Sequence, residues 1–152
     1  MCNNKGFTML ETLIAVLVFF IVISSAGHIY TKAYAAYVEC SNKLEVQENM
    51  RFALKKMSRG LRQAAGVVSC NGSEIVIEPA QGNNICSYRY DPAQKEAEVN
   101  MGGVYLPLAS NISDLSFDYD AEDRIAAITI KGQKGDSAVI EMSTKVQIRT
   151  NY

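Results

Sequence analysis

The chain has few of the residues that build catalytic and metal centres. Its only histidine is His28, its four cysteines form no CxxC pair, and Gly102-Gly103 stands alone rather than within a phosphate-binding motif. A zinc site needs clustered Cys and His ligands, and a hydrolytic triad needs a histidine base beside its nucleophile. These absences argue against such sites, and we expect neither an enzyme nor a bound cofactor.

Helix-breaking residues are also scarce in the first half of the chain. Residues 12–65 contain no proline, and their only glycines are Gly27 and Gly60. This scarcity predicts one helix of roughly 50 residues that ends near Gly66. A mostly apolar stripe with spacings of three and four marks the face that we expect its outer half to bury: Tyr37, Cys40, Leu44, Gln47, Met50, Leu54, Met57, Leu61 and Ala64.

Charged and polar side chains are absent from residues 13–23. The apolar span extends to Tyr30, which brings it close to the roughly 20 residues that a helix needs to cross a bilayer. A secretory signal peptide is the competing interpretation, with Ser24, Ser25 and Ala26 as the small residues near a cleavage point. The short charged leader and the acidic Glu11 favour a membrane-spanning helix instead.

Beyond Gly66 the hydrophobic period changes from helical to alternating. Turn signals at Asn71-Gly72 and Gly102-Gly103 separate some of the alternating segments. The segments are residues 67–70, 74–78, 85–90, 96–101, 104–106, 115–119, 126–130 and 138–148. One apolar face per strand implies one buried side, which the helix stripe is available to cover. The sequence therefore predicts an α+β fold, with an antiparallel sheet on the outer half of the helix.

One acidic residue precedes the apolar span, within the motif Lys5-Gly6-Phe7-Thr8-Met9-Leu10-Glu11. A carboxylate inside a bilayer costs at least a few kcal/mol and usually has a partner. Lys5 is the only Lys or Arg near Glu11 in the sequence. If Lys5 were removed, nothing nearby in the chain could be that partner. The motif resembles the prepilin signal of the type IV pilin and type II secretion pseudopilin superfamily.

This resemblance implies a processing pathway and a role for each residue of the motif. In that superfamily a membrane peptidase cuts after the glycine, here Gly6, and methylates the new amino terminus, here Phe7. Glu11 then faces the positive amino terminus of a neighbouring subunit in the filament.

The resemblance also implies the pilin fold and a division of the chain into four segments. They are a cleaved leader (1–6), the transmembrane half of the helix (7–30), its amphipathic half (31–66) and an extracytoplasmic β domain (67–152). The implied location is the cytoplasmic membrane, with the N-terminus in the cytoplasm and the C-terminal domain outside, followed by a cell-surface filament.

A second resemblance concerns the outer half of the helix. Residues 47–54, 57–59 and 61–64 are similar to the helix of PilW-type minor pilins and J-type pseudopilins. Residues 146–151 are similar to their last strand, where an Arg-Asn ending is common; here Thr150 lies between Arg149 and Asn151. The implied function is a low-abundance subunit that helps initiate or cap a type IV pilus-like filament. The alternatives are a J-type pseudopilin of a type II secretion system and a subunit of a DNA-uptake pilus. The implied partners are other major and minor pilins or pseudopilins, the prepilin peptidase, the membrane assembly platform and, before assembly, membrane lipid.

Three cysteines remain in the chain once Cys2 leaves with the leader. An extracytoplasmic location permits disulfides, so we expect Cys70 to pair with Cys86. The short loop that this bridge closes makes it worth about 3 kcal/mol in the chain-entropy model. Cys40 lies on the helical stripe, and we expect it to be a small buried hydrophobe.

Two groups of charged residues have possible functions for which the sequence gives less support than for the N-terminal motif. Alternating carboxylates at Asp118, Asp120 and Glu122 are a weak calcium candidate, but acids are also common in turns, and we assign no metal. The cations Lys55, Lys56, Arg59 and Arg62 are groups that bind phosphate. The net charge of -1 favours a solvated helix face, so nucleic acid is not an expected partner.

Overall fold

A computed structural model describes residues 8–79 and 85–148. The chain divides into two compact units, Met1–Cys40 and Ser41–Tyr152. Within the described residues, one long helix, α1, spans Met9–Arg62, and eight strands follow it. The strands are β1 (Ala64–Cys70), β2 (Glu74–Pro79), β3 (Cys86–Asp91), β4 (Glu96–Met101), β5 (Val104–Ala109), β6 (Ile112–Asp120), β7 (Ile125–Gly132) and β8 (Ile140–Gln147). The predicted α+β, pilin-like arrangement of a long N-terminal helix and antiparallel sheet structure is confirmed.

Helix α1 ends four residues earlier than predicted. The Gln63 N–H donates to the carbonyls of Arg59 (3.2 Å) and Gly60 (3.1 Å), and Ala64 then pairs with Pro79 of β2. The predicted boundary at residues 66 and 67 was therefore wrong. Hydrogen bonds to a strand more than ten residues away determine this boundary, and local helix propensity contains no information about them.

The strands form two antiparallel sheets rather than the single sheet that was predicted. Strands β1 to β5 are neighbours in sequence order, and β6, β7 and β8 form a second sheet. The chain leaves the first sheet after β5, with Asn111 at a positive φ of 62°. Backbone hydrogen bonds from Ile112 to Lys95 (2.9 Å) and from Phe117 to Gly72 (2.6 Å) then join β6 to turns of the first sheet.

The first hairpin turns one residue later than predicted. Cys70 pairs with Ile75, and the Asn71 N–H donates to the Glu74 carbonyl at 3.0 Å. The two central turn residues are therefore Gly72 and Ser73. Gly72 has a φ of 82°, which is the left-handed region that glycine occupies without strain.

The core of the unit Ser41–Tyr152 lies between one face of α1 and the inner faces of both sheets. Five α1 side chains are completely buried there: Val46, Met50, Ala53, Met57 and Leu61. The predicted stripe was wrong at its beginning, because Tyr37, Cys40 and Leu44 are exposed. Helical periodicity identifies an apolar face, but it does not show where along the helix the sheets begin to cover it.

Glu98 is a buried charged side chain on the first sheet. Glu98 of β4 is 7% exposed and accepts a hydrogen bond of 2.7 Å from Nε of Arg89 on β3. The Arg89 guanidinium lies 3.4 Å from the centre of the Tyr105 ring, and its hydrogen bond to Glu98 raises the pKa of Arg89. A buried carboxylate needs such a partner, and this cluster links side chains of β3, β4 and β5.

Candidate functional site

Glu11 lies in the first turn of α1, where its backbone is held by Thr8. The Glu11 N–H donates to the Thr8 hydroxyl oxygen at 3.3 Å and to the Thr8 carbonyl at 3.1 Å. Thr8 is therefore the N-cap of α1, and Thr8 to Glu11 has the T-x-x-E pattern of a capping box. The sequence interpretation missed Thr8, although this pattern was available to identify it.

The Glu11 carboxylate has no hydrogen bond or ion pair to any residue in the described ranges 8–79 and 85–148. The next charged side chain along the helix is that of Lys32, which is about 30 Å away at 1.5 Å per residue. The helix dipole favours an acid in the first turn by only about 0.3–1 kcal/mol. The described part of the chain therefore supplies little to compensate this charge.

The apolar segment behind Glu11 is exposed along its whole length. Residues 12–31 contain no Asp, Glu, Lys or Arg. The large apolar side chains of residues 13–23 are 52–62% exposed, and the most apolar 18-residue window of α1 has a mean hydropathy of 2.4. A helix of this length and composition can cross a bilayer. Lipid or other helices must cover these side chains.

Three hydroxyl groups in this segment have partners on their own helix. Thr12 donates to the Met9 carbonyl at 2.8 Å, Ser25 to the Val22 carbonyl at 2.8 Å, and Thr31 to the His28 carbonyl at 3.0 Å. Each bond reaches one turn back along α1, which is the usual arrangement for Ser and Thr within helices. These three polar side chains are therefore compatible with a lipid environment.

The predicted processing residues Gly6 and Phe7 lie outside the described residues. Their roles in cleavage and methylation stay predictions.

The predicted bridge between Cys70 and Cys86 is absent, because both residues are free thiols. Strand β2 lies between them, since Cys70 pairs with Ile75 and Cys86 pairs with Ile77. Two strand spacings are about 10 Å, which exceeds the Cα separation of roughly 7 Å that a disulfide tolerates. The Cys70 thiol is hydrogen-bonded to the Phe117 carbonyl at 3.7 Å instead.

We expect three reactive thiols in the processed protein. Unfolding without reductant and alkylation with iodoacetamide should add three labels, and prior reduction should not raise the count. In the folded, unassembled protein the exposed Cys40 should react first, because burial raises the pKa of Cys86 and lowers its thiolate fraction. Intact mass spectrometry measures both results. A single label without reductant would show that Cys70 and Cys86 are bonded.

The carboxylates proposed for calcium belong to the turn between β6 and β7. Oδ1 of Asp120 accepts hydrogen bonds from the backbone N–H groups of Glu122 (2.9 Å) and Asp123 (3.4 Å). This is an Asx turn, which explains an aspartate at that position. Within the described residues, no group of three or more His, Cys, Asp or Glu side chains is placed to hold a metal ion.

The predicted basic patch is divided between two surfaces. Lys55 and Arg62 line a groove whose wall includes Thr144 of β8. Lys56 lines a different depression, together with Gly60 and Tyr88. Arg59 borders both. The adjacent Lys55 and Lys56 therefore face different surroundings.

Comparison with known proteins bears on the N-terminal region. No curated protein and no solved structure matches the chain. A family model described as the prokaryotic N-terminal methylation motif matches residues 1–27. These residues include Gly6, Phe7, the Thr8 cap, Glu11 and most of the apolar segment. The match supports a membrane-anchored subunit of the type IV pilin and pseudopilin class. It also suggests, in general terms, interaction with other pilins and with a prepilin peptidase.

Proposed function

We propose that this chain is a minor, non-catalytic subunit that helps initiate or cap the assembly of a type IV pilus-like filament. Before assembly it lies in the cytoplasmic membrane, with its N-terminus in the cytoplasm and the unit Ser41–Tyr152 outside. The assembly platform then moves it into the filament. The observation that carries this proposal is the Glu11 carboxylate, which lies next to a membrane-spanning segment and lacks a partner in the described structure.

The energetics of Glu11 favour an external partner. A carboxylate at the centre of a membrane helix costs about 2.5–3.5 kcal/mol on insertion scales. The cost at the helix end is lower, but the dipole offsets only about 0.3–1 kcal/mol, and the backbone bonds to Thr8 do not involve the carboxylate. A nearby positive charge is the remaining way to stabilise the ionised form.

The processed amino terminus of a neighbouring subunit can supply that charge. Cleavage after Gly6 removes Lys5, the only Lys or Arg before Glu11, and exposes a new cationic amine on Phe7. Methylation of an amine retains its positive charge. A pair between Glu11 of one subunit and the Phe7 amine of the next would couple neutralisation of the acid to assembly, while the exposed apolar segments pack together.

The minor role is supported by the resemblance of residues 47–54, 57–59 and 61–64 to PilW-type minor pilins. The same resemblance includes J-type pseudopilins, so a type II secretion pseudopilus is the alternative setting. A minor subunit should be far outnumbered by the main building block. Quantification of both subunits in isolated filaments against isotope-labelled peptides measures this ratio.

Replacing Gly6 tests the processing step. We expect Gly6→Val to leave a membrane-inserted precursor that retains residues 1–6, lacks the methyl group and is absent from filaments, because the peptidase needs the small residue at the cut. Gly27→Ala is the matched control, since a Cβ at Gly27 meets no atom within 4 Å. Intact mass spectrometry of the membrane and filament fractions measures the outcome. Normal maturation of Gly6→Val would exclude Gly6 as the processing residue.

A further inference from the structure

A basic groove lies between the last turns of α1 and strand β8, within the unit Ser41–Tyr152. It has a volume of about 690 Å³, and its lining includes Thr144 of β8. Four cations of α1, which we call the basic groove residues, also line it: Arg51, Lys55, Arg59 and Arg62. No acidic residue in the described part of the chain lines this groove.

The side chains of the basic groove residues have no hydrogen-bond or ion-pair partner among the described residues. The described ion pairs use Arg89, Lys131 and Lys134 instead. The four cations follow one another at spacings of four, four and three residues, so they lie along one side of α1 within about 17 Å. Like charges at these spacings repel one another, and a row of negative charges in the groove would relieve that repulsion.

Strand β8, which forms the opposite wall of the groove, is an edge strand. Among the described strands it pairs only with β7. Its core-side residues Ile140, Met142 and Thr144 are only partly buried, whereas Ile128 and Ile130 of β7 are completely buried. An edge strand presents a row of backbone N–H and C=O groups with which another extended chain can pair. The groove therefore combines an open sheet edge with a line of cations.

The line of cations and an added strand would have similar repeats. Cations four residues apart on α1 are about 6 Å apart along the helix axis. Alternate side chains of an extended strand lie on one face and repeat at about 6.8 Å. Acids at alternate positions of a strand added to β8 would therefore lie opposite the cations. Single-stranded nucleic acid also carries a row of charges, but it has no peptide N–H and C=O groups to pair with β8.

We propose that the basic groove holds an extended acidic segment of a different subunit of the filament, added to β8 as a further strand. Its carboxylates occupy alternate positions and face the basic groove residues, while its backbone pairs with the open edge of β8. This inference rests on the proposed filament function. A minor subunit is far outnumbered by the main building block, so its neighbours are other subunits rather than second copies of itself.

A synthetic acidic peptide tests the binding mode. The probe is an end-capped peptide of nine residues in which glutamate alternates with threonine, and fluorescence anisotropy follows its binding to the full chain in detergent. We expect binding that weakens as salt is raised. Methylating the backbone nitrogens of the glutamates alone, or of the threonines alone, blocks one edge of the extended peptide. One of these two peptides should bind at least tenfold more weakly than the other, and equal binding would refute strand addition.

Charge reversal tests the location of the site. Lys55→Glu should weaken binding of the unmethylated peptide at least tenfold, because it replaces a cation of the groove with an acid. Lys56→Glu is the matched control and should retain most of the binding, because Lys56 is equally exposed but lines the other depression. Equal weakening by the two substitutions would refute the groove as the site. Tighter binding of an oligothymidine with four phosphates would overturn the proposal in favour of nucleic acid.

Zero-length crosslinking of isolated filaments identifies the partner. A carbodiimide joins a carboxylate to a lysine amine in direct contact, and Lys55 is the lysine among the basic groove residues. We expect an amide between Lys55 and an acid of a different pilin-class subunit, in a segment where acids alternate with other residues. The absence of a link at Lys55 would overturn the proposal. A link only to a second copy of this chain, or only to a protein outside the filament, would also overturn it.

The same filaments distinguish failure of this contact from failure of the proposed function. Mature chains with a methylated Phe7 that lack the Lys55 link would refute the contact alone. Chains that retain their leader and are absent from filaments would instead refute the proposed filament function.

Discussion

Replacing Glu11 with glutamine should leave the protein processed and inserted in the membrane, yet reduce its incorporation into filaments at least tenfold. Glutamine preserves the size of the side chain and the T-x-x-Q form of the capping box, but it removes the negative charge. Loss of one close charge pair at an interface costs about 1.5 kcal/mol or more, which corresponds to a tenfold or larger change. The amount of subunit in sheared filaments relative to the membrane fraction measures the effect.

Two control variants separate charge pairing from helix capping. Glu11→Asp keeps the charge and should retain most of the incorporation. Thr8→Ala removes the side-chain oxygen that accepts the 3.3 Å bond from Glu11, and it should cost about 1 kcal/mol of helix stability while allowing assembly. If Glu11→Gln assembled normally, or if Thr8→Ala caused the same loss as Glu11→Gln, the charge-pairing role would be wrong.

Substitution of Gly132 should have the largest effect on the folding of the unit Ser41–Tyr152. A Cβ at Gly132 would lie 2.6 Å from Cγ1 of Val46, 2.9 Å from Sδ of Met50 and 3.1 Å from the Asn111 carbonyl. Val46 and Met50 are completely buried, so the helix must move away from β7 to make room. We expect Gly132→Ala to cost about 2 kcal/mol, and Gly132→Val to cost more.

The measurement is thermal unfolding of the full chain in detergent, followed by the near-ultraviolet circular dichroism of the tyrosines. A loss of about 2 kcal/mol should lower the Tm of a unit of this size by about 10 °C. Gly66→Ala is the matched control, because it is also a strand glycine and its added Cβ meets no atom within 4 Å. A Tm for Gly132→Ala equal to that of Gly66→Ala would show that the close packing of α1 on β7 is unnecessary.

Local patterns in the sequence predicted most of the fold. The absence of proline predicted α1, and alternating apolar residues predicted the strands, including the pairs of Leu115, Phe117 and Tyr119 with β7. The end of the helix and the number of sheets were predicted wrongly because both depend on pairing between residues that are distant in sequence. The hydrogen bonds of Ala64 with β2 shortened the helix, and the division into two sheets depends on contacts of β6 with distant turns.

The candidate site was predictable to the extent that it is local in sequence. Glu11 stands out because the residues from Thr12 to Thr31 contain no Asp, Glu, Lys or Arg, and the Thr8 cap was available in the same motif. The prediction of a bridge between Cys70 and Cys86 was wrong because sequence spacing does not reveal that β2 lies between the two residues. The division of the basic patch also required the structure, since only the fold distinguishes the surroundings of Lys55 from those of its neighbour Lys56.

The central claim is that a processed, positively charged Phe7 amine compensates Glu11 in the assembled filament. Intact mass spectrometry of the protein purified from its native host tests this claim most directly, because the cationic partner exists only after cleavage. We expect a mature chain that begins at Phe7 and carries one additional methyl group. An intact leader, or cleavage far downstream near Ala26, would contradict it.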